Sequence, residues 1–522
     1  METFEWIIGL MLGAALLSLV ARHLGLPYPS LLAVGGAAVA LLPYSPNWAL
    51  DPQLALTLFV APVLLDAAYD FSLRDLKRNW ITVGGLAIVA VGLTTAAVAI
   101  VAHWMVPDMP WSVAIALGAI VAPPDAAAAT AILRQVRLPY RITAILEGES
   151  LVNDASALLV YRLSVGAAVA GTVEPVSIVP MAIAVIVGSL AAGIILSRVF
   201  ARLIASVDDA PTAIIIQFVG TFGVWILADR VGLSGVLTIV AFAVTAARGS
   251  TRLSVPARLR IPTNAVWAAV VFVLNALAFV LIGMQLRPIL GRLGGDGLAN
   301  PMLIATAVLV TAIIARFAWV AAYNLFALAV TRDRPATEAG PGRPTIAGGL
   351  VISWAGMGGI VTLAAAYALP NTLSDGSPFP YRDLVLLCAF FVVLGTLVIQ
   401  GLTLRPLIAM LRLRAPHPVV DEVRHARAEA LRAGLAAIDG DTSDEARLLR
   451  KEFESAIATS SNDAEGGDLD ELPGNDIRRS ALAAARKKAN ELWLAGTIGD
   501  AAYRALESEF DWGELSAGAD AE

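Results

Sequence analysis

The stretch GAIVAPPDAAAATAIL, residues 118–133, lies inside an apolar run that is long enough to cross a lipid bilayer. Pro123 and Pro124 stand near its middle and are followed at once by Asp125. Each proline lacks a backbone donor and clashes with the preceding turn, so the pair predicts a break in the helix. Interrupted backbone is tolerated at membrane depth only where it is buried in protein or lines a cavity. The stretch therefore predicts a broken helix packed inside a membrane protein.

The composition of the whole chain agrees with this prediction. Its 522 residues are 57% hydrophobic and only 15% charged, with a mean hydropathy of +0.73, whereas soluble domains average about 25% charged residues. Apolar runs separated by short polar loops predict an all-α polytopic protein of about thirteen membrane-spanning helices. These spans are expected near 4–21, 28–43, 53–70, 80–106, 111–133, 141–170, 174–203, 212–229, 232–247, 263–286, 301–330, 346–369 and 381–411.

A second break is expected in the twelfth span. The stretch ISWAGMGGIVTLAAA, residues 352–366, has Gly356, Gly358 and Gly359 near its middle, and glycine lets the backbone leave helical geometry. The fifth and twelfth spans are separated by an odd number of crossings, so they run in opposite directions. Paired interrupted segments in inverted repeats point to the central site of a transporter. The alternative is two ordinary kinked helices whose small residues serve close packing.

The distribution of Lys and Arg predicts the orientation. With the N-terminus outside, sixteen of these residues fall in loops on the cytoplasmic side and four in loops on the outer side, as the positive-inside rule requires. The first apolar run lacks the basic region and the cleavage site of a signal peptide, so it is expected to remain as the first span. The C-terminus is expected in the cytoplasm of a bacterial cell, with the spans in the inner membrane.

After residue 412 the chain becomes charged and Ala-rich, with apolar residues at helical spacing. We expect a transmembrane domain over residues 1–412 and a cytoplasmic helical tail over residues 413–522, which is either regulatory or a weakly ordered appendage. The chain has no dense basic stripe, so nucleic-acid binding is not expected. The single cysteine, Cys388, excludes an intrachain disulfide.

The stretch EGESLVND, residues 147–154, places carboxylates inside the sixth span. On a helix, Ser150 and Asp154 share one face because they are four residues apart, and Glu149 and Asn153 share a neighbouring face. Such hard oxygen atoms suit small hard cations. Asp154 can hold a cation or a proton, with Ser150 and Asn153 adding neutral oxygens, and that competition is sufficient for exchange. The alternative is a structural hydrogen-bond network between helices.

Other polar residues in or near the predicted spans are expected to have solvent, a cation or an ion-pair partner next to them. Glu147 is expected to be solvated near the cytoplasmic loop. Asp66 and Asp70 lie one turn apart near a cytoplasmic helix end, where they either guide cations into a funnel or pair with Arg74 and Lys77. Arg316 lies deep in the eleventh span and requires an anionic partner.

These motifs resemble those of the monovalent cation:proton antiporters of the NhaP/NHE type, in particular bacterial sodium/proton exchangers. The similarity rests on GESLVND (148–154), APPDAAAATAIL (122–133), FVLNALAFVLIGMQL (272–286), SWAGMGGIVTLAAAYALP (353–370) and LGTLVIQGLTL (394–404). It implies an inverted-repeat fold, a homodimer, and alternating access. It also implies that Asp154 and Ser150 bind Na⁺ and that Asn153 and Glu149 support this binding site. The unwound segment is implied to contribute to the same site around Pro124 and Asp125.

The resemblance further implies electroneutral exchange, because family members with an Asn-Asp pair exchange one cation for one proton. One position departs from the pattern, since the family arginine of the twelfth span is Gly358 here. That arginine is expected to hold the glutamate that matches Glu149. Either Glu149 is protonated in the membrane, or Arg316 replaces the lost partner, or exchange and ion preference are altered.

The sequence therefore predicts a sodium/proton antiporter that takes part in pH homeostasis and needs no cofactor. The cation exchanged for H⁺ is predicted to be Na⁺, with Li⁺ or K⁺ as alternatives. A K⁺-preferring exchanger of the same mechanism is the nearest alternative, and a non-transporting ion sensor on the same fold is another. A membrane-embedded hydrolase is disfavoured, because the HExxH and GxSxG patterns of metal and serine hydrolases are absent.

Overall fold

The computed structural model describes residues 2–43, 52–71, 73–125, 129, 138–170, 175–250, 257–292, 299–331, 345–413, 429–440, 442–462 and 475–494, together with positions 506, 510 and 512. The chain divides into two compact units, Met1–Ala415 and Pro416–Glu522. Among the described residues the regular elements are helices, and the only β-type pairing is an isolated bridge between Thr372 and Pro378.

The helices of the first unit follow the predicted apolar runs. They are α1 Glu2–Leu24, α2 Tyr28–Ala40, α3 Pro52–Ala55, α4 Ala61–Asp70, α5 Leu73–Gly84, α6 Val91–Met105, α7 Trp111–Val121, α8 Tyr140–Ala170, α9 Pro175–Ile204, α10 Ala210–Arg230, α11 Gly235–Ser250, α12 Ala257–Met284, α13 Leu286–Arg292, α14 Ala299–Thr331, α15 Ile346–Trp354, α16 Ile360–Tyr367 and α17 Arg382–Leu411. The second unit contains α18 Asp444–Asn462 and α19 Asn475–Leu494.

Seven helical stretches in the described part of the chain are long and apolar enough to cross a membrane. They are Phe4–Leu24, Asp75–Met105, Pro180–Ile204, Ala210–Arg230, Leu259–Arg292, Ala299–Ala327 and Arg382–Leu411. Helix α8 has 31 residues, about 46 Å at the helical rise, which also exceeds the hydrocarbon thickness. It is less apolar than the others because it contains the carboxylates of EGESLVND. The exact number of spans stays a prediction.

Two spans contain π-helical turns that the hydropathy pattern did not predict. The turn Leu56–Val60 joins α3 to α4, and the turn Gly85–Ala90 joins α5 to α6. A π-helical turn widens the helix and leaves backbone carbonyls free for other partners, and such turns are frequent at functional sites. The second turn uses this freedom, because the Ser156 hydroxyl of α8 donates to the Ala87 carbonyl at 2.5 Å.

Close backbone approaches hold the helices together. A β-carbon on Gly36 of α2 would stand 2.1 Å from the Val280 carbonyl oxygen of α12, and one on Gly283 would stand 2.0 Å from that of Ala33. Helices α6 and α7 meet in the same way, since a β-carbon on Gly118 would lie 2.3 Å from the Thr95 carbonyl oxygen. Membrane helices depend on such small-residue contacts because the bilayer supplies no hydrophobic force between them. The packing places α7, α16 and α17 at the buried centre of the unit.

Candidate ion-binding site

The two predicted breaks meet at the centre of the first unit. Helix α7 ends at Val121, and residues 122–125 leave helical geometry where the two prolines stand. Helix α15 ends at Trp354 and α16 begins at Ile360, so residues 355–359 are also unwound. The Asp125 amide donates to the Met357 carbonyl oxygen at 2.6 Å, which joins one interrupted segment to the other through backbone atoms alone.

Glycine at two positions allows this crossing. A β-carbon on Gly359 would stand 1.6 Å from Asp125 Oδ2 and 2.3 Å from its β-carbon, and one on Gly356 would stand 2.2 Å from Arg316 Nε. Gly358 is less restricted, since a β-carbon there would first meet Val393 Cα at 3.3 Å. Gly356 and Gly359 are therefore explained by the side chains of Arg316 and Asp125, which lie directly against their backbone.

We expect Gly359→Ala to destabilise the folded protein by about 1–3 kcal/mol, as overpacking a close contact does. Rotation of the Asp125 side chain cannot relieve the clash, because its β-carbon is itself only 2.3 Å from the new methyl group. The measurement is the midpoint of thermal denaturation of the purified protein in detergent. Gly358→Ala is the matched control, and equal midpoints for the two variants would contradict the explanation.

Helix α8 brings its polar residues to this crossing. Ser150 and Asp154 lie on one face and are 7% and 5% exposed, and the first of them lines a cavity with Pro124 and Asp125. Glu147 lies on the same face as Ser150 and is half-buried at the cavity wall, rather than fully solvated as expected. Asp125 lies within electrostatic range of Asp154. The predicted grouping of Ser150, Asp154 and Asp125 is thus present in the structure.

Asn153 connects α8 to the first break. It is fully buried, and its Nδ2 donates to the Pro124 carbonyl oxygen at 3.0 Å. Pro124 can offer this oxygen because residues 122–125 do not continue the helix that would otherwise use it. Within the described part of the chain, Asn153 Oδ1 has no hydrogen-bond partner. A buried amide oxygen without a donor is a feature that a bound cation or a protonated carboxyl group would satisfy.

Glu149 is paired with Arg316 of α14. The guanidinium makes a two-pronged contact, with Nη1 to Oε1 at 2.5 Å and Nη2 to Oε2 at 2.9 Å, and both side chains are at least nine-tenths buried. Nη2 also donates to the Ile352 carbonyl oxygen at 3.0 Å, in the last turn of α15. A cation at a helix C-terminus is favourable, so Arg316 stabilises the break as well as the carboxylate. The partner that Gly358 does not supply is present on a different helix.

The start of α8 is fixed against α5 by polar contacts. The Tyr140 hydroxyl donates to Asp75 Oδ2 at 2.6 Å, and Arg141 Nε donates to Asn79 Oδ1 at 3.3 Å. These bonds, with the Ser156 bond to Ala87, hold α8 at both ends of its polar segment against the span formed by α5 and α6. The position of the site residues is therefore set by contacts outside the site.

One described site residue from the sequence prediction, Asp66, is not brought to the cavity. Asp66 is half-buried on α4 and does not line it. The side chain of Asp70, and that of Arg74 with which it was expected to pair, lie outside the described residues. Residues 126–128 and 130–133, which complete the APPDAAAATAIL motif apart from Ala129, also lie outside them.

Sequence reasoning missed one residue at the crossing. Thr396 of α17 is buried, and its Oγ1 accepts a hydrogen bond from the Gly358 amide at 2.9 Å. It lies in the LGTLVIQGLTL motif, which supports the family resemblance. The resemblance assigned no function to any individual residue of that motif. A hydroxyl in an otherwise apolar span was the available signal, and it does not say which backbone group the hydroxyl will meet.

Residues 9–410 match the family model described as "Sodium/hydrogen exchanger, transmembrane". The chain is similar to the "Sodium, potassium, lithium and rubidium/H(+) antiporter" of Bacillus pumilus, with 31% identity over 84% of this chain and 66% of that protein. It thus spans just under two thirds of that relative's length. It is also similar to the "Uncharacterized Na(+)/H(+) exchanger YjcE" of Escherichia coli, with 29% identity over 94% of each chain.

Among solved structures, the sodium proton antiporter MjNhaP1 from Methanocaldococcus jannaschii has a similar fold. The TM-score is 0.62 at 18% sequence identity, and the match covers 79% of this chain and 98% of that one. At this identity the likeness concerns the fold alone. The all-helical architecture of the predicted family is thereby confirmed.

Proposed function

The chain belongs to the sodium/hydrogen exchanger family, and from that premise we propose that it is a secondary antiporter, exchanging a monovalent cation for a proton. The proposed cation is Na⁺. The observation that carries the proposal is the buried carboxylate of Asp154, one turn from Ser150 and next in sequence to Asn153, whose Oδ1 has no hydrogen-bond partner in the described part of the chain. Intramembrane carboxylates are costly and mark ion or proton pathways.

Exchange follows from the chemistry of Asp154. In a buried site an uncompensated carboxylate is unfavourable, so the side chain holds either a proton or a cation at each stage. Ser150 Oγ and Asn153 Oδ1 supply neutral oxygens for the cation, and the Pro124 carbonyl and Asp125 belong to the same site. Binding one ligand excludes the other, and one carboxylate therefore carries one cation in one direction and one proton in the other. This stoichiometry is electroneutral.

The Glu149–Arg316 pair has a supporting role in the proposal. Its charges compensate each other, so it adds no net charge to the site and leaves the exchange of charge to Asp154. Asp66 and Asp70 remain proposed as a cytoplasmic funnel, with Asp66 half-buried on α4.

The protein is a multi-pass membrane protein, and further parts of the proposal concern its setting. We propose a homodimer in a bacterial cell membrane, with the N-terminus outside and the C-terminus in the cytoplasm, where exchange contributes to pH homeostasis. The excess of Lys and Arg in alternate loops supports this orientation. Residues 1–412 carry the exchange, and residues 413–522 form a cytoplasmic helical tail with a regulatory role.

A K⁺-preferring exchanger is a second candidate, favoured by the name of the Bacillus pumilus relative, which includes potassium as well as sodium among its ions. Both candidates use the same residues, because hard oxygen ligands accept either ion.

Transport in proteoliposomes tests the proposal. The purified protein is reconstituted, a pH gradient is imposed, and Na⁺, Li⁺ and K⁺ are added separately at matched ionic strength. We expect Na⁺ to collapse the gradient, at a rate that does not change when the membrane potential is clamped. Faster collapse by K⁺ would select the second candidate. Collapse by none of the three ions, with empty liposomes as the baseline, would overturn the proposed function.

A further inference from the structure

We infer that Thr396 is a positioning residue for cation binding, because its hydroxyl anchors a chain of hydrogen bonds that ends at the side-chain amide of Asn153, the residue that precedes Asp154. This inference rests on the proposed function and adds to it a residue on α17, a helix to which no role in exchange has been given.

The chain runs through two peptide groups. Asn153 Nδ2 donates to the Pro124 carbonyl oxygen, whose peptide group continues to the Asp125 amide. That amide donates to the Met357 carbonyl oxygen, whose peptide group continues to the Gly358 amide. The four bonds, from Asn153 to the final acceptor on α17, measure 3.0, 2.6, 2.9 and 2.7 Å.

Thr396 closes the chain. Its Oγ1 accepts from the Gly358 amide and donates to the Val392 carbonyl oxygen, one turn earlier on its own helix. The hydroxyl is suited to this place because it can accept and donate at the same time. Valine has almost the same shape and can do neither, so the Gly358 amide would then be buried without an acceptor.

Every donor in the chain points the same way, from Asn153 toward α17. Aligned peptide groups polarise one another, and the free carbonyl end of such an array carries partial negative charge, as at a helix C-terminus. Here the free end is Asn153 Oδ1. Its identity is fixed by chemistry, since only the amide nitrogen can donate to the Pro124 carbonyl. The unpartnered oxygen is thus the negative end of the array, as a cation ligand requires.

Orientation is the second contribution of Thr396. Residues 123–125 and 356–359 do not continue the helical hydrogen-bond ladders, so their peptide planes depend on other partners; within the second segment the Met357 amide donates to the Ala355 carbonyl oxygen at 3.0 Å. The Thr396 hydroxyl fixes the plane between Met357 and Gly358, and through it the plane between Pro124 and Asp125. Loss of the hydroxyl removes one of the two bonds that hold the Met357–Gly358 peptide group, and so weakens the support that this group gives to the Asp125 amide and, through it, to the side chain of Asn153.

The test compares Thr396→Val with Thr396→Ser in proteoliposomes, as the apparent KM for Na⁺ and the maximal rate of exchange. We expect Thr396→Val to raise the KM by roughly three- to tenfold, the effect of one net hydrogen bond, with a smaller change in maximal rate. Thr396→Ser keeps the hydroxyl and is expected to retain the wild-type KM. The matched control is Thr311→Val on α14, which removes a hydroxyl that donates to the Ala307 carbonyl of its own helix.

The outcomes separate this inference from the proposed function. No exchange by the wild type would overturn the proposed function and this inference with it. Exchange by the wild type with an unchanged KM in Thr396→Val, or equal KM values in Thr396→Val and Thr396→Ser, would overturn the inference alone. If Thr396→Val is not obtained as folded protein, Thr396→Cys replaces it, because a thiol is a weaker acceptor. A wild-type KM in Thr396→Cys would then overturn the inference.

Discussion

Asp154→Asn is expected to reduce cation-driven proton flux to the level of empty liposomes. The substitution preserves the shape of the side chain and removes the only charge for which cation and proton compete in the proposed mechanism. An amide neither releases a proton nor compensates a bound cation, so neither half of the exchange remains. The measurement is the collapse of an imposed pH gradient on addition of Na⁺, in proteoliposomes with equal amounts of protein.

Asp229→Asn is the control for this experiment. Asp229 forms an exposed ion pair with Arg162 at 3.1 Å, and exposed pairs contribute only about 0.2–1 kcal/mol. That variant should therefore transport like the wild type. Wild-type flux in Asp154→Asn, with a normal elution profile of the purified protein, would show that the exchanging group lies elsewhere.

Arg316→Ala is expected to destabilise the folded protein by about 3–5 kcal/mol, the usual effect of removing one member of a buried ion pair. Glu149 is only 1% exposed and would keep a carboxylate without a partner, and the Ile352 carbonyl would lose its donor. The measurement is the thermal denaturation midpoint in detergent together with the yield of monodisperse protein. Arg316→Lys should recover part of the loss, because an ammonium group cannot reproduce the two-pronged contact.

A double variant separates charge from packing. In Arg316→Ala with Glu149→Gln neither member of the pair carries a charge, so this protein is expected to denature at a higher temperature than Arg316→Ala alone. Glu149→Gln alone leaves Arg316 unpaired and should be destabilised as well. If Arg316→Ala has the wild-type midpoint, the guanidinium does not compensate for the arginine that Gly358 replaces.

Much of the fold could be predicted because its determinants are local. Pro123 and Pro124 stand together and break the helix that contains them, as the loss of two neighbouring backbone donors predicts. The family resemblance read from the motifs is confirmed by the match over residues 9–410. The shared face of Ser150 and Asp154 also follows from local spacing alone. The roles given to these side chains in exchange stay predictions.

The remaining features depend on contacts between distant parts of the chain. Glu149 and Arg316 are 167 residues apart, and the sequence left protonation of Glu149 and pairing with Arg316 equally open. The π-helical turns and the bond between Ser156 and Ala87 have no signature in hydropathy. The Thr396 bond to Gly358 could not be predicted because unwound backbone has no periodicity from which its partners follow.

The bond between the Asp125 amide and the Met357 carbonyl has a consequence for how this site is inherited. Since both partners are main-chain atoms, nearly any pair of residues can form it, and only a proline at position 125 would delete the donor. The bond itself therefore places no requirement on the side chains of residues 125 and 357, in contrast to the close contacts at Gly356 and Gly359. The identity of the side chain at position 357 therefore carries no record of this bond, although the geometry of the site depends on its carbonyl oxygen.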